Sequence, residues 1–222
     1  MTGSRTESRY RDGARRIVPI AVAGGVFAAS FAVLAHASGF GASAAVVMSA
    51  TTFGGSAQFA AASILGSGGG IAAAATAAAL LNARYVPIGA TVAGEFEGNP
   101  LRRLLEAQLI VDESWALSRT SEGRHDRRIL LGAGMVMYCT WVGGTTLGAL
   151  VGDRLGDPNR YGLDAAFPAL FLALLVPQVR TRRALAAALG GGAIALVLIP
   201  FAPAGVPIVA ATAACFLGWT RL

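Results

Sequence analysis

Between Ile17 and Ala83 the chain runs for 67 residues without an Asp, Glu, Lys or Arg. A second charge-free run, Ala184 to Thr220, adds 37 residues, and a third, Ile129 to Gly152, adds 24. A helix needs about 20 apolar residues to cross a bilayer, so these runs are too long for the buried helices of a soluble core. The chain therefore reads as all-α: a polytopic α-helical integral membrane protein. That reading excludes a soluble enzyme, a nucleic-acid-binding domain and a coiled coil. Composition agrees, with only 14% charged residues against about 25% in soluble domains.

The charges that remain are informative by placement. All 18 basic residues are Arg, so a phosphate-loop lysine, a Schiff base and a pyridoxal site are excluded in their usual form. The net charge of +6 does not point to nucleic acid, because the arginines cluster beside hydrophobic runs, as the positive-inside bias produces. Arg5, Arg9, Arg11, Arg15 and Arg16 precede the first run; Arg119, Arg124, Arg127 and Arg128 form a second cluster, and Arg180, Arg182 and Arg183 a third. Each cluster is expected on the cytoplasmic side, which puts both termini inside. Cys139 and Cys215 lie in apolar segments and read as small packing residues rather than a disulfide. Arg15-Arg16 followed by an apolar stretch and Ala35-His36-Ala37 loosely resembles a signal peptide. The stretch is longer than the usual 7–15 residues, so it is read as the first span.

Residues 1–16 are thus expected to form a cytoplasmic Arg-rich tail, and 17–222 a single transmembrane transporter domain. Candidate spans fall near 17–38, 41–66, 70–92, 129–152, 163–179, 183–200 and 204–220, with a weaker helix over 101–118. Two counts fit. If 41–66 crosses fully, 101–118 must also cross, giving eight spans. If the second helix is broken or re-entrant, 101–118 lies on the cytoplasmic surface and the count is six.

Phe53-Gly54-Gly55-Ser56-Ala57-Gln58 interrupts the second run. Each glycine weakens a helix by about 1 kcal/mol relative to alanine, and broken helices are a common way for transporters to expose backbone groups to substrate. Close packing through small residues is the alternative. Gly143-Gly144-Thr145-Thr146 is a second candidate interruption. Arg84, after Asn82, sits near the middle of its span, where an arginine costs about 2.5–3.5 kcal/mol, so it must face protein, water or a counter-ion. Read as one helix, 101–117 places Arg102, Arg103, Glu106 and Glu113 in one polar quadrant and Asp112 on the apolar face. Asp112 then needs a partner, and Arg84 is the candidate; Glu113 is expected at the rim with Arg102 or Arg103. Asp164 reads as a helix N-cap or site residue, and Pro168 and Pro177 as kinks or gate elements. His36 and His125 are isolated, and no metal cluster or cofactor motif is expected.

Four motifs occur in order: Phe53-Gly54-Gly55-Ser56-Ala57-Gln58, Asn82-Ala83-Arg84-Tyr85, Asp112-Glu113-Ser114-Trp115-Ala116, and Gly162-Leu163-Asp164-Ala165-Ala166-Phe167-Pro168. With them the chain resembles the AzlC/BrnF family, the large subunit of two-component branched-chain amino acid exporters. Gly54 stands where alanine is frequent, and Val111 where threonine often precedes the acidic pair. The resemblance implies a permease of the bacterial inner membrane, not an enzyme, exporting valine, leucine, isoleucine and sometimes methionine. It implies a small AzlD/BrnE-type partner subunit, and the proton gradient or membrane potential as the energy source. On this reading Gly54, Gly55, Ser56, Gln58, Asn82, Arg84, Asp112, Glu113 and Asp164 are the substrate-binding or coupling candidates, with Asp112 as the proton-linked switch. The alternative is a non-transporting scaffold or assembly subunit in which Arg84 and Asp112 form a structural pair.

Overall fold

The structure is a computed structural model that describes residues 2–120, 122–155, 172, 175, 176, 179–202 and 206–214. The described residues build helices joined by turns. Helix α1 spans Thr2–Ala37, α2 Ala42–Thr52, α3 Gly55–Gly66, α4 Ile71–Asn82 and α5 Tyr85–Val92. They are followed by α6 (Pro100–Ala107), α7 (Asp112–Ser118), α8 (Arg127–Leu155), α9 (Arg182–Leu198) and α10 (Val206–Ala211). Three stretches are long and apolar enough to cross a membrane: Ser8–Ala37, Ile71–Glu95 and Arg127–Val151. The chain is a helical membrane protein.

The centre of the molecule is the pair α1 and α8. Lipid tails are as apolar as the side chains, so such pairs associate through close backbone packing at small residues. Here Gly13 lies under the Ile129 carbonyl, Gly132 under that of Tyr10, Gly144 under that of Gly25 and Gly148 under that of Ala29. A Cβ at any of these glycines would collide with the partner's backbone. The paired residue numbers rise together, so the two helices run parallel. Helix α8 is unbroken from end to end; the expected interruption at Gly143-Gly144 is absent, and Gly144 is there to admit α1. Asp126 caps α8 by accepting from the Arg128 and Ile129 amides at 2.9 and 3.2 Å.

Two hairpins pack on this pair from opposite ends. In the first, α2 starts where α1 ends. Phe53 then takes a left-handed conformation (φ 40°) and Gly54 an extended one, a combination that ends a helix. Helix α3 returns to the starting end, where Gly66 packs on Ser38 too closely to admit a Cβ. Helix α4 runs antiparallel to α3, with Ala61 and Ile64 against Ala74 and Ala77 and Asn82 against Gly54. A turn at Ala83-Arg84, where both residues keep right-handed helical angles, joins α4 to α5 within the one apolar stretch Ile71–Glu95, at the level of the α2–α3 break.

The second hairpin corrects the expectation of one helix over 101–118. It is two short helices, α6 capped by Asn99, which accepts from the Arg102 amide at 2.8 Å, and α7. The linker between them packs Leu109 on Gly134, about 10 Å along α8 from Arg127. Ser114 secures this linker: its hydroxyl meets the Val111 amide and the Leu109 carbonyl, both at 3.0 Å. Helix α7 then returns to the basic end, where the Ser118 carbonyl accepts from the Asp126 amide at 2.8 Å. Phe53 and Val111, one from each hairpin tip, enter a single apolar cluster with Ile17, Ala21, Ala133 and Met137.

Other boundaries also shift. The first helix begins well before Ile17, so the Arg-rich segment forms its opening turns. Cys139 is exposed on α8 rather than packed. The expected span 163–179 lies mostly outside the described residues, as does the end of 204–220.

Candidate functional site

The break between α2 and α3, the turn between α4 and α5 and the tip of the second hairpin converge on one polar junction. Ending α2 at Thr52 leaves carbonyls without helical partners, and side chains from elsewhere take them. Gln108 Nε2 donates to the Ala50 and Thr51 carbonyls at 3.2 and 3.0 Å, and the Tyr138 hydroxyl donates to Ala50 at 2.9 Å. No local pattern marks these two roles. Amide and phenol side chains are common, and only the fold aims them at freed carbonyls.

Arg84 occupies the α4–α5 turn. Its Nη1 donates to Ser56 Oγ at 2.8 Å and its Nη2 to the Tyr85 hydroxyl at 3.2 Å. Its Nε lies 3.0 Å from Asp112 Oδ2, and the guanidinium sits 5.0 Å from the Tyr85 ring centroid. The ion pair proposed between Arg84 and Asp112 is therefore present. Its setting differs from expectation: Asp112 starts a new helix rather than lying mid-helix on an apolar face, and the Arg84 and Asp112 side chains are 39% and 46% exposed. Asn82 projects at Gly54, and its buried Oδ1 has no donor among the described residues. The junction thus presents a cation, carboxylates and an unused acceptor together.

Glu113 is not the rim residue expected. Arg102 pairs with Glu106 at 2.9 Å, and Glu113 lies next to the Arg84–Asp112 pair instead. Burial raises the Glu113 carboxyl above the ordinary range and Asp112 adds to this, opposed by its own backbone N–H and by Arg84.

Gln58 is also placed differently from a substrate ligand. It is fully buried in a closed circuit of hydrogen bonds. Trp141 Nε1 donates to Gln58 Oε1 at 3.0 Å, and Gln58 Nε2 donates to Ser49 Oγ at 2.8 Å. Ser49 meets Thr145 Oγ1 at 2.7 Å, and Thr145 donates to the Trp141 carbonyl at 3.0 Å. Because Thr145 spends its hydrogen on that carbonyl, Ser49 is the donor between the two hydroxyls. Gly55 lies under the Trp141 ring, with no room for a Cβ. Gln58 and Gly55 therefore hold the first hairpin to α8, while Gly54, Ser56, Asn82, Arg84, Asp112 and Glu113 gather at the junction. Asp164, Pro168 and Pro177 lie outside the described residues.

The basic end carries its own network. Glu106 accepts from Arg127 Nε at 3.0 Å, with a second contact to Arg127 Nη2, and Arg9 pairs with Asp126. A polar cavity of about 520 Å³ opens there, lined by Arg9, Glu95, Arg124 and Arg128 among others. His125 stacks on Trp115 at 5.3 Å and meets Ser118 Oγ at 2.9 Å.

Comparison with known proteins adds identity to this geometry. A protein of Archaeoglobus fulgidus described as an uncharacterized membrane protein is 33% identical over 221 residues, covering 95% of this chain and 94% of its own length. No solved structure matches. The family described as AzlC protein matches residues 19–155, more than half the chain and nearly all of the paired helices and hairpins around the junction. The chain belongs to the AzlC family.

Proposed function

We propose that this chain is the large subunit of a two-component exporter of branched-chain amino acids in the cytoplasmic membrane. It would work with a small AzlD/BrnE-type membrane subunit, driven by the proton gradient or membrane potential. The observation that carries this reading is the junction. One broken helix, α2–α3, and the α4–α5 turn meet the tip of a hairpin from the opposite end at one cluster of Arg84, Asp112, Asn82 and Ser56. Discontinuous helices with ionisable groups at their breaks are how secondary transporters bind charged solutes. A zwitterion needs both signs of charge at short range, and this cluster supplies them. Apolar walls would select branched side chains, but a single methylene changes discrimination by only about 1–3 kcal/mol, so methionine would overlap.

The same geometry favours six spans over eight. Helix α2–α3 would be a re-entrant hairpin from the outer side and α6–α7 a shallower one from the Arg-rich cytoplasmic side, both termini being cytoplasmic. Helix α6 has eight residues, about 12 Å, well short of the ~30 Å hydrocarbon layer.

The test is counterflow of labelled valine, leucine, isoleucine and methionine in proteoliposomes, with and without the small subunit encoded next door. Exchange that requires both chains supports the reading; no exchange of any of the four refutes it. The scaffold reading also has an observation in its favour, since Arg84 already has protein partners. Arg84→Ala discriminates. A folded variant that has lost exchange supports the exporter, and a variant that fails to fold or assemble supports the scaffold.

A further inference from the structure

Two consecutive carboxylates, Asp112 and Glu113, open α7 at the junction, and they are not equivalent. Asp112 has the cation, at 3.0 Å from Arg84 Nε. Glu113 is partly buried and has no hydrogen bond or ion pair from its side chain among the described residues. The charged or titratable groups near it are Arg84 and Tyr85 at the α4–α5 turn and Asp112 on its own helix. Arg84 donates to Ser56 and Tyr85 through its terminal nitrogens and pairs with Asp112 through Nε, which is buried without a hydrogen bond among the described residues. From α8, Tyr138 uses its hydroxyl on the Ala50 carbonyl, and α2, α3 and the stretch of α1 from Ile17 to Ala35 contain no charged residue. A half-buried carboxyl beside a like charge, with no cation of its own, is satisfied either by a proton or by a cationic group of a ligand.

We propose that Glu113, rather than Asp112, is the proton-carrying residue, and that a proton and the substrate's ammonium group occupy its carboxyl alternately. This rests on the amino acid reading given above for the identity of the ammonium. When the ammonium arrives, the carboxyl O–H bond breaks and the proton passes to water. When the ammonium departs, the carboxylate takes a proton back from water on the other side. One proton is therefore exchanged for one zwitterion, and each turnover moves one positive charge against the direction of the amino acid. Mutual exclusion at one group gives antiport when the empty, charged carboxylate beside Asp112 does not cross, because only the protonated or ammonium-bound form then changes sides. Asp112, held by Arg84, keeps the guanidinium in place for the substrate's carboxylate.

The experiment uses the full chain with its small subunit in lipid nanodiscs. Infrared pH titration follows the protonated carboxyl band, and L-valine binding is measured as a function of pH. Wild type and Asp112→Asn are expected to share one carboxyl band, titrating above the ordinary carboxylate range, that Glu113→Gln lacks and Glu113→Asp restores. Valine affinity in wild type is expected to fall about tenfold per pH unit below the midpoint of that band, and to lose this dependence in Glu113→Gln. A band that survives in Glu113→Gln, or disappears in Asp112→Asn, overturns the assignment of the proton. Full pH dependence of valine binding in Glu113→Gln overturns the exclusion. If wild type binds no valine or other amino acid while the band behaves as stated, the amino acid reading fails and Glu113 remains the proton site.

Discussion

Glu106 takes bonds from Arg102 on its own helix and from Arg127 at the start of α8, tying α6 to the central pair. Burial alone would raise its pKa, but the hydrogen bonds from Arg127 and Arg102 hold it below the ordinary carboxylate range. A depressed folded pKa contributes stability above the unfolded value of about 4.3 and loses it as pH falls through the folded one. Glu106→Gln should therefore cost about 2 kcal/mol at pH 7 and little once the native residue is itself protonated, read as thermal unfolding in detergent at both pH values. An equal cost at both would show that the charge is not the source. At this scale the sequence was legible where a residue broke the local pattern. Arg84 in an apolar span demanded a counter-ion, and Asp112 was the nearest in kind. Glu113 and Gln58 were misplaced because their roles depend on where α7 starts and on Trp141 and Ser49, which are far from Gln58 and near it respectively in sequence, and neither relation has a periodic signature.

At the scale of elements, glycine did two different jobs that composition does not separate. Gly54 ends a helix, whereas Gly132 and Gly144 let two helices touch. Gly144→Ala would drive a Cβ into the Gly25 carbonyl, an overpacking that costs typically about 1–3 kcal/mol. Gly143→Ala meets nothing within 4 Å and should be tolerated. Thermal stability of the two variants checks this, and equal loss in both would mean that helix α8 rather than its packing is affected. The Trp141–Gln58–Ser49–Thr145 circuit is a second element-level device. A partly satisfied buried network is worse than none, so Gln58→Leu leaves the Trp141 N–H and the Ser49 hydroxyl with fewer partners. It should destabilise by about 1–3 kcal/mol, measured by the same melts. Recovery of that loss in the double variant Gln58→Leu with Trp141→Phe would confirm that the unpaired indole N–H is its source.

For the whole molecule, the decisive question is which side each hairpin end occupies. With Cys139 and Cys215 replaced, single cysteines at Ser43, Ser67 and Glu97 can be labelled by a membrane-impermeant maleimide in intact cells. The re-entrant arrangement predicts that Ser43→Cys and Ser67→Cys label from the same side and Glu97→Cys from the other. Labelling of Ser43→Cys and Ser67→Cys from opposite sides would instead make α2–α3 a full crossing.

The sequence by itself determined that this chain lives in a bilayer, that Gly54 interrupts an apolar run, and that Arg84 needs a partner within another. These follow from transfer energies and backbone preferences, which act locally and need no partner to be read. Only the tertiary structure decided that α1 and α8 pack in parallel through facing glycines, that 101–118 is a hairpin, and that α3 returns to Ser38. It also decided that Glu113 stands at the junction. Those facts depend on which backbone approaches which, and in an almost uniformly apolar chain many pairings bury similar surface. Steric fit at small residues and a few buried polar contacts select among them, and both exist only once the helices have met.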